Sequence, residues 1–370
     1  MLCSRKAVAR SFSSTAAILV LSGCSPRVHQ GITTITTPPA TTTAKEKGPP
    51  PFVPEPYPFD IEAETHLPAR CLEHILASEI ISRNGSPTVP ITINGERGGA
   101  FLSLSQDVIG VFDGNDERLD LPDIENAQAT SLMGLGHSWT TRLDSFTFAQ
   151  GHAEKVDALK MGEFNDPPDA RMGTLGIMGF NILGNYNVLI DMPARRFVMF
   201  INRRTTDCPS LSQVIGARAF RAPLIVGPRY ENNMVTVTVD GAPLGMYIEP
   251  GSNLSVVAQK DATADGLSLD SLHNENRVNT LAGETRIGYR HQYKTVSIGN
   301  WHGGPFAVNI EPVDFSLLGR DFFRHRRVLL GFQSGMMFFS DTEQDSGPRD
   351  IGGGNLSPIS SHIAHTNVGQ

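Results

Sequence analysis

A chain of 370 residues with 39% hydrophobic and 19% charged residues is long enough for two cores and has the makeup of a folded body. Its 36 glycines and 25 prolines favour short strands and many turns over long helices. A formal charge of −7, with the acidic residues scattered, excludes the basic footprint of a nucleic-acid binder and leaves no acidic tail.

In chain order, the first feature is a positive stretch, Arg5, Lys6 and Arg10, followed by a short apolar run from Ala16 to Leu21. This order is that of a secretory signal, and the apolar run is too short to span a bilayer. Leu21-Ser22-Gly23-Cys24 then resembles the lipobox of bacterial lipoproteins. That resemblance implies cleavage of residues 1–23, a lipid on Cys24 and attachment to a membrane. Ser25 after the cysteine points to the outer membrane, facing the periplasm.

Residues 24–60 are dominated by threonine and proline, including Pro49-Pro50-Pro51, and read as a disordered linker that is extended where proline clusters. Residues 344–370, with Gly352-Gly353-Gly354, read as a disordered tail. Once Cys3 leaves with the signal and Cys24 is lipidated, Cys71 and Cys208 remain, either as a disulfide or as two thiols.

Between the linker and the tail the sequence repeats. Val89–Phe112 and Met234–Val257 each run an alternating strand into Asn94-Gly95 or Asp240-Gly241, and a second apolar strand follows. Such dipeptides between alternating apolar runs mark hairpins. Further on, Ile177-Met178-Gly179 and Leu317-Leu318-Gly319 each precede a short helical stretch and a closing hairpin. The expected fold is therefore all-β, with two homologous halves, 61–210 and 211–343, and short helices.

This order of landmarks resembles the retropepsin-like and pepsin-like aspartic peptidases, in a bacterial lipoprotein form, from about Thr88 to Asp341. The resemblance implies two β-barrel lobes related by a pseudo-twofold axis. It also implies a carboxylate from each lobe, the two meeting ~3 Å apart and sharing a proton. In that family each carboxylate stands in Asp-Thr-Gly. Here the matching triplets are Ser103-Leu104-Ser105 and Glu249-Pro250-Gly251. Ser103 and Glu249 thus occupy the places of the catalytic acids, and Leu104 and Pro250 have no side-chain donor with which to lock the loops. Asp107 is the nearest other first-half carboxylate and reads as a solvated or capping residue.

The resemblance also places flap hairpins over the groove at Gly134 and Gly136 in the first half and at Gly283 in the second. No nucleophile elbow surrounds Ser103 or Ser105. His137, His152, His291, His302 and His325 are dispersed without metal-ligand spacing, so neither metal nor cofactor is expected. The functional expectation is an envelope lipoprotein that binds a peptide or protein as a pseudo-peptidase. The alternative is an active aspartic-type endopeptidase using Glu249 and another partner.

Overall fold

The computed structural model describes residues 52–341, apart from 83–84, 114–118, 132–133, 163, 165–171, 204, 229–230 and 281–282. The signal sequence, Cys24, most of the linker and the tail from residue 342 lie outside the described residues. Among the described residues no helix is long and apolar enough to cross a membrane.

Strand Thr88–Ile93 pairs with Glu96–Leu102 around Asn94-Gly95, and Met234–Val239 pairs with Ala242–Ile248 around Asp240-Gly241. Both residues of each turn have positive φ (50° and 90°; 47° and 91°), the conformation that makes Asn-Gly and Asp-Gly favoured hairpin connections. Each turn is tied back in the same way. Asn94 Oδ1 accepts from Ser145 N at 3.0 Å, and Asp240 Oδ1 accepts from Thr295 N at 2.8 Å.

The halves agree in register as well as in order. Leu102 lies beside Met178 in a parallel pairing, and Ile248 lies beside Leu318 in another. Gly110 opposes Ile177, and Val256 opposes Leu317. The short helices Phe180–Leu183 and Arg320–Phe323 follow Gly179 and Gly319. A Cβ at Gly179 would overlap the Val108 carbonyl, and one at Gly319 the Leu254 carbonyl, so both helices demand glycine for the same close approach.

The halves join through one antiparallel pairing, Asn187–Asp191 against Arg327–Gly331, with Leu189 opposite Leu329. Asn187 opposes Gly331 and Asp191 opposes Arg327, a symmetric register centred on the two leucines. Neighbouring strands on either side complete a sheet shared by both halves. On one face Leu189, Leu329, Phe200 and Phe338 pack with Ile61 and Leu67 from the start of the body and with Val214 from the connection between halves.

At the edge of that layer Arg327 Nη1 donates to Asp191 Oδ2 at 2.6 Å and to the Glu64 carboxylate, and its Nε donates to Val214 O at 3.0 Å. Arg196 also donates to Glu64. Burial alone would raise the Glu64 carboxyl, but the bonds and charges of Arg196 and Arg327 outweigh it and hold the group below its ordinary range. Residues 52–60, which the sequence assigns to the linker, rest on the first half: Phe52 stacks on His152 at 5.0 Å, and Arg196 covers the Phe59 ring. Phe59, half-buried against the core beneath Arg196, anchors this end of the proline-rich stretch.

Candidate functional site

Where strand Glu96–Leu102 ends, Ser103 N donates to Met178 O at 3.1 Å; where Ala242–Ile248 ends, Glu249 N donates to Leu318 O at 2.9 Å. Three residues further on, Gln106 O accepts from Phe180 N, and Ser252 O accepts from Arg320 N. Two equivalent loops are therefore pinned by equivalent bonds, and they bring Ser103 and Glu249 together.

The two side chains touch. Ser103 Oγ donates to Glu249 Oε2 at 2.8 Å. The same oxygen accepts from Ser105 N at 2.9 Å and Ser105 Oγ at 2.5 Å, while Oε1 accepts from Gly251 N at 3.0 Å. Ser103 Oγ in turn accepts from Gln106 N at 3.2 Å. Glu249 and Ser103 are each only 2% exposed. Burial pushes the Glu249 carboxyl above its ordinary range, although the bonds from Ser105, Ser103 and Gly251 pull the other way. Asp107 is not among the partners of Glu249; its carbonyl accepts from Asn181 N.

Strand alternation explains which residues surround the pair. Ala100, Leu102 and Leu104 point into the main core, so Phe101 and Ser103 share the opposite face. Likewise Leu244, Met246 and Ile248 enter the core, while Tyr247 shares a face with Glu249. On that second face Phe101 packs with Phe112, Phe164 and Ile177 in the first half, and Tyr247 packs with Val256, Val313 and Leu317 in the second. An apolar wall thus flanks the polar pair on either side.

Leu104 and Pro250 donate no side-chain bonds, as their chemistry requires, yet the loops are locked by other groups. Asn233 Nδ2 donates to Leu104 O at 2.7 Å, Ser86 Oγ donates to Gly251 O, and Arg320 Nη1 donates to Gly85 O at 3.1 Å. Leu104 is fully buried in the main core, which accounts for an apolar residue at that position. The sequence reading does not single out Ser86 or Asn233, and it gives Ser105 no contact with Glu249. Their only signal was polar residues placed just before the repeated strands or within the loop.

The expected flap glycines lie on hairpins at corresponding places. Gly134 opposes Ser131 and Gly136 opposes Ala129 in the first half, and Gly283 opposes Thr280 in the second. The tips at Met133, Leu281 and Ala282 fall outside the described residues. Cys71 and Cys208 form a disulfide that joins the start of the first half to the segment following Arg196–Asn202. Among the described residues, no three His, Cys, Asp or Glu side chains gather as metal ligands would.

Residues 235–322 match the family model for aspartyl protease, a span that includes Glu249, strand Gly283–Tyr293 and Gly319. The second half is aspartic-peptidase-like. The first half repeats the strand registers of that aspartic-peptidase-like half. Among solved structures, the aspartic proteinase from Irpex lacteus matches with a TM-score of 0.46 at 9% identity, over 74% of this chain and 99% of that one. No curated protein matches the chain in sequence.

Proposed function

We propose that this chain is a pseudo-peptidase of the bacterial cell envelope, lipid-anchored through Cys24, which holds a peptide or protein in the groove between its halves without cleaving it. One observation carries the reading: a serine stands where the family's first carboxylate belongs, and both oxygens of the second carboxylate are engaged by four donors. Aspartic-type catalysis needs one carboxyl kept protonated by its neighbour and another free to activate water. A serine supplies neither function, and Glu249 at 2% exposure leaves little room for an attacking water.

Peptide binding survives the loss of that chemistry. An extended ligand is held by strand-like backbone bonds and by side chains set against apolar walls, and neither depends on a second acid. The Phe101 and Tyr247 clusters, both buried, brace the strands that lead into Ser103 and Glu249 and do not depend on a second acid either. A library of random extended peptides, screened by affinity capture on the purified mature protein, should yield binders recovered intact. Capture of cleaved products would overturn the reading. Fractionating cells that express Cys24→Ala tests the anchor: the body should leave the membrane fraction, and its retention there would count against lipidation.

The elevated carboxyl of Glu249 favours a second reading, since a raised acid can donate a proton at neutral pH. On that reading the chain is an aspartic-type endopeptidase that uses Glu249 as its acid. Proteolysis with an acid optimum that disappears in Glu249→Ala distinguishes it from the first.

A further inference from the structure

The Glu249 carboxylate belongs to the second half, yet three of its four hydrogen bonds come from the first-half loop: Ser103 Oγ, Ser105 N and Ser105 Oγ. All four donors, Gly251 N included, are uncharged. The group is 2% exposed, so opening the loops would return it to water. A carboxylate buried among neutral donors is worse off ionised than it would be hydrated, whereas a protonated carboxyl tolerates burial.

We propose that Glu249 is a proton-dependent latch between the two loops, closed when the carboxyl carries a proton and released as it ionises. The direction follows from burial. Opening hydrates the carboxylate and favours its charged form, so proton uptake favours the closed junction by linkage. Acid therefore closes the latch and neutral to alkaline pH loosens it.

Other charged groups lie on the packed elements. Arg320 donates to Gly85 O, Asp321 accepts from Ser255 Oγ at 2.7 Å, Glu231 accepts from Asn233 Nδ2 at 3.0 Å, and Asp107 sits on the first-half loop with its carbonyl bound to Asn181 N. Burial also raises the Asp321 carboxyl, so a pH response in wild type alone does not single out Glu249. The experiment therefore compares wild type with Glu249→Gln, an uncharged mimic of the protonated carboxyl.

Amide hydrogen exchange on the full mature protein, corrected for the intrinsic pH dependence of exchange, reads protection of residues 103–107 and 249–253 at pH 5 and pH 8. In wild type, protection should fall by about tenfold or more between the two pH values, while the Leu189–Leu329 strands stay unchanged. Glu249→Gln should abolish the fall. If that variant does not fold, Ser105→Ala should enlarge it, because the ionised closed form loses its hydroxyl donor. A wild-type junction indifferent to pH would overturn the latch, as would a fall that persists in Glu249→Gln or a Ser105→Ala response no larger than wild type. None of these readouts depends on whether the chain cleaves peptides.

Discussion

Ser105 Oγ and Glu249 Oε2 lie 2.5 Å apart, although they are 144 residues apart in sequence and belong to opposite halves of a duplicated fold. The distance is that of a short hydrogen bond between a hydroxyl and a carboxyl group. Two hydroxyls of the first-half loop, those of Ser103 and Ser105, meet this one carboxyl oxygen.

Burial of Glu249 gives its effect on stability a definite sign. A carboxyl raised in the folded state contributes stability that is fully present below its unfolded value near 4.5 and is lost as pH rises through the folded value. Glu249→Gln should therefore cost about 1 kcal/mol at pH 4, where a good hydrogen-bonding partner is replaced. At pH 7.5 the cost should shrink or reverse. Urea denaturation at the two pH values checks this, and a larger cost at pH 7.5 would show that the donors outweigh burial.

Glu64 should behave in the opposite sense. Arg196 and Arg327 hold its carboxyl low, so its stabilisation is present above 4.5 and is lost as pH falls through the folded value. Glu64→Ala leaves Arg327 buried with Asp191 as its remaining carboxylate partner. It should cost about 3 kcal/mol at pH 7, in line with breaking a buried pair. The loss should be smaller at pH 3, and thermal melts at both values read the difference.

The Cys71–Cys208 disulfide closes a long segment, its ends 137 positions apart in sequence, and restrains the unfolded chain accordingly. Replacing both cysteines by alanine should cost about 2–4 kcal/mol in denaturant titrations. Adding reductant to the wild-type protein should produce a similar loss and should leave the double variant unaffected.

Gly179→Ala and Gly319→Ala test the duplication directly, since each added methyl meets the carbonyl of the residue two positions before the equivalent loop strand. Both should destabilise by about 1–3 kcal/mol, the cost of forcing atoms into a filled space. A large effect in one half and none in the other would show that the two helices dock differently.

The parts of this fold legible in the sequence are those set by local chemistry. Asn94-Gly95 and Asp240-Gly241 announce turns because few other pairs accept positive φ at both positions, and both turns have it. Gly179 and Gly319 recur because a helix start must meet a backbone carbonyl closely. Fixed spacing from those landmarks leads to Ser103 and Glu249, which the structure brings into contact. The Ser105 contacts, the Asn233 and Ser86 locks and the Glu64–Arg327–Asp191 cluster link residues more than a hundred positions apart. No local pattern encodes such partners; they emerge only when the strand registers place the loops side by side. Leu104 shows the same limit from the other direction. Its place in a peptidase motif reads as a missing donor, whereas in the fold it is a fully buried core residue.

Ser103 and Glu249 meet where the resemblance to aspartic peptidases expects an acid pair, and the proposed function is binding without cleavage. Incubating the purified mature protein with denatured casein from pH 3 to pH 8, beside Glu249→Ala, tests it most directly. Substrate should stay intact at every pH, with no difference between the two proteins. Fragments that form at acid pH with wild type and vanish with Glu249→Ala would contradict it.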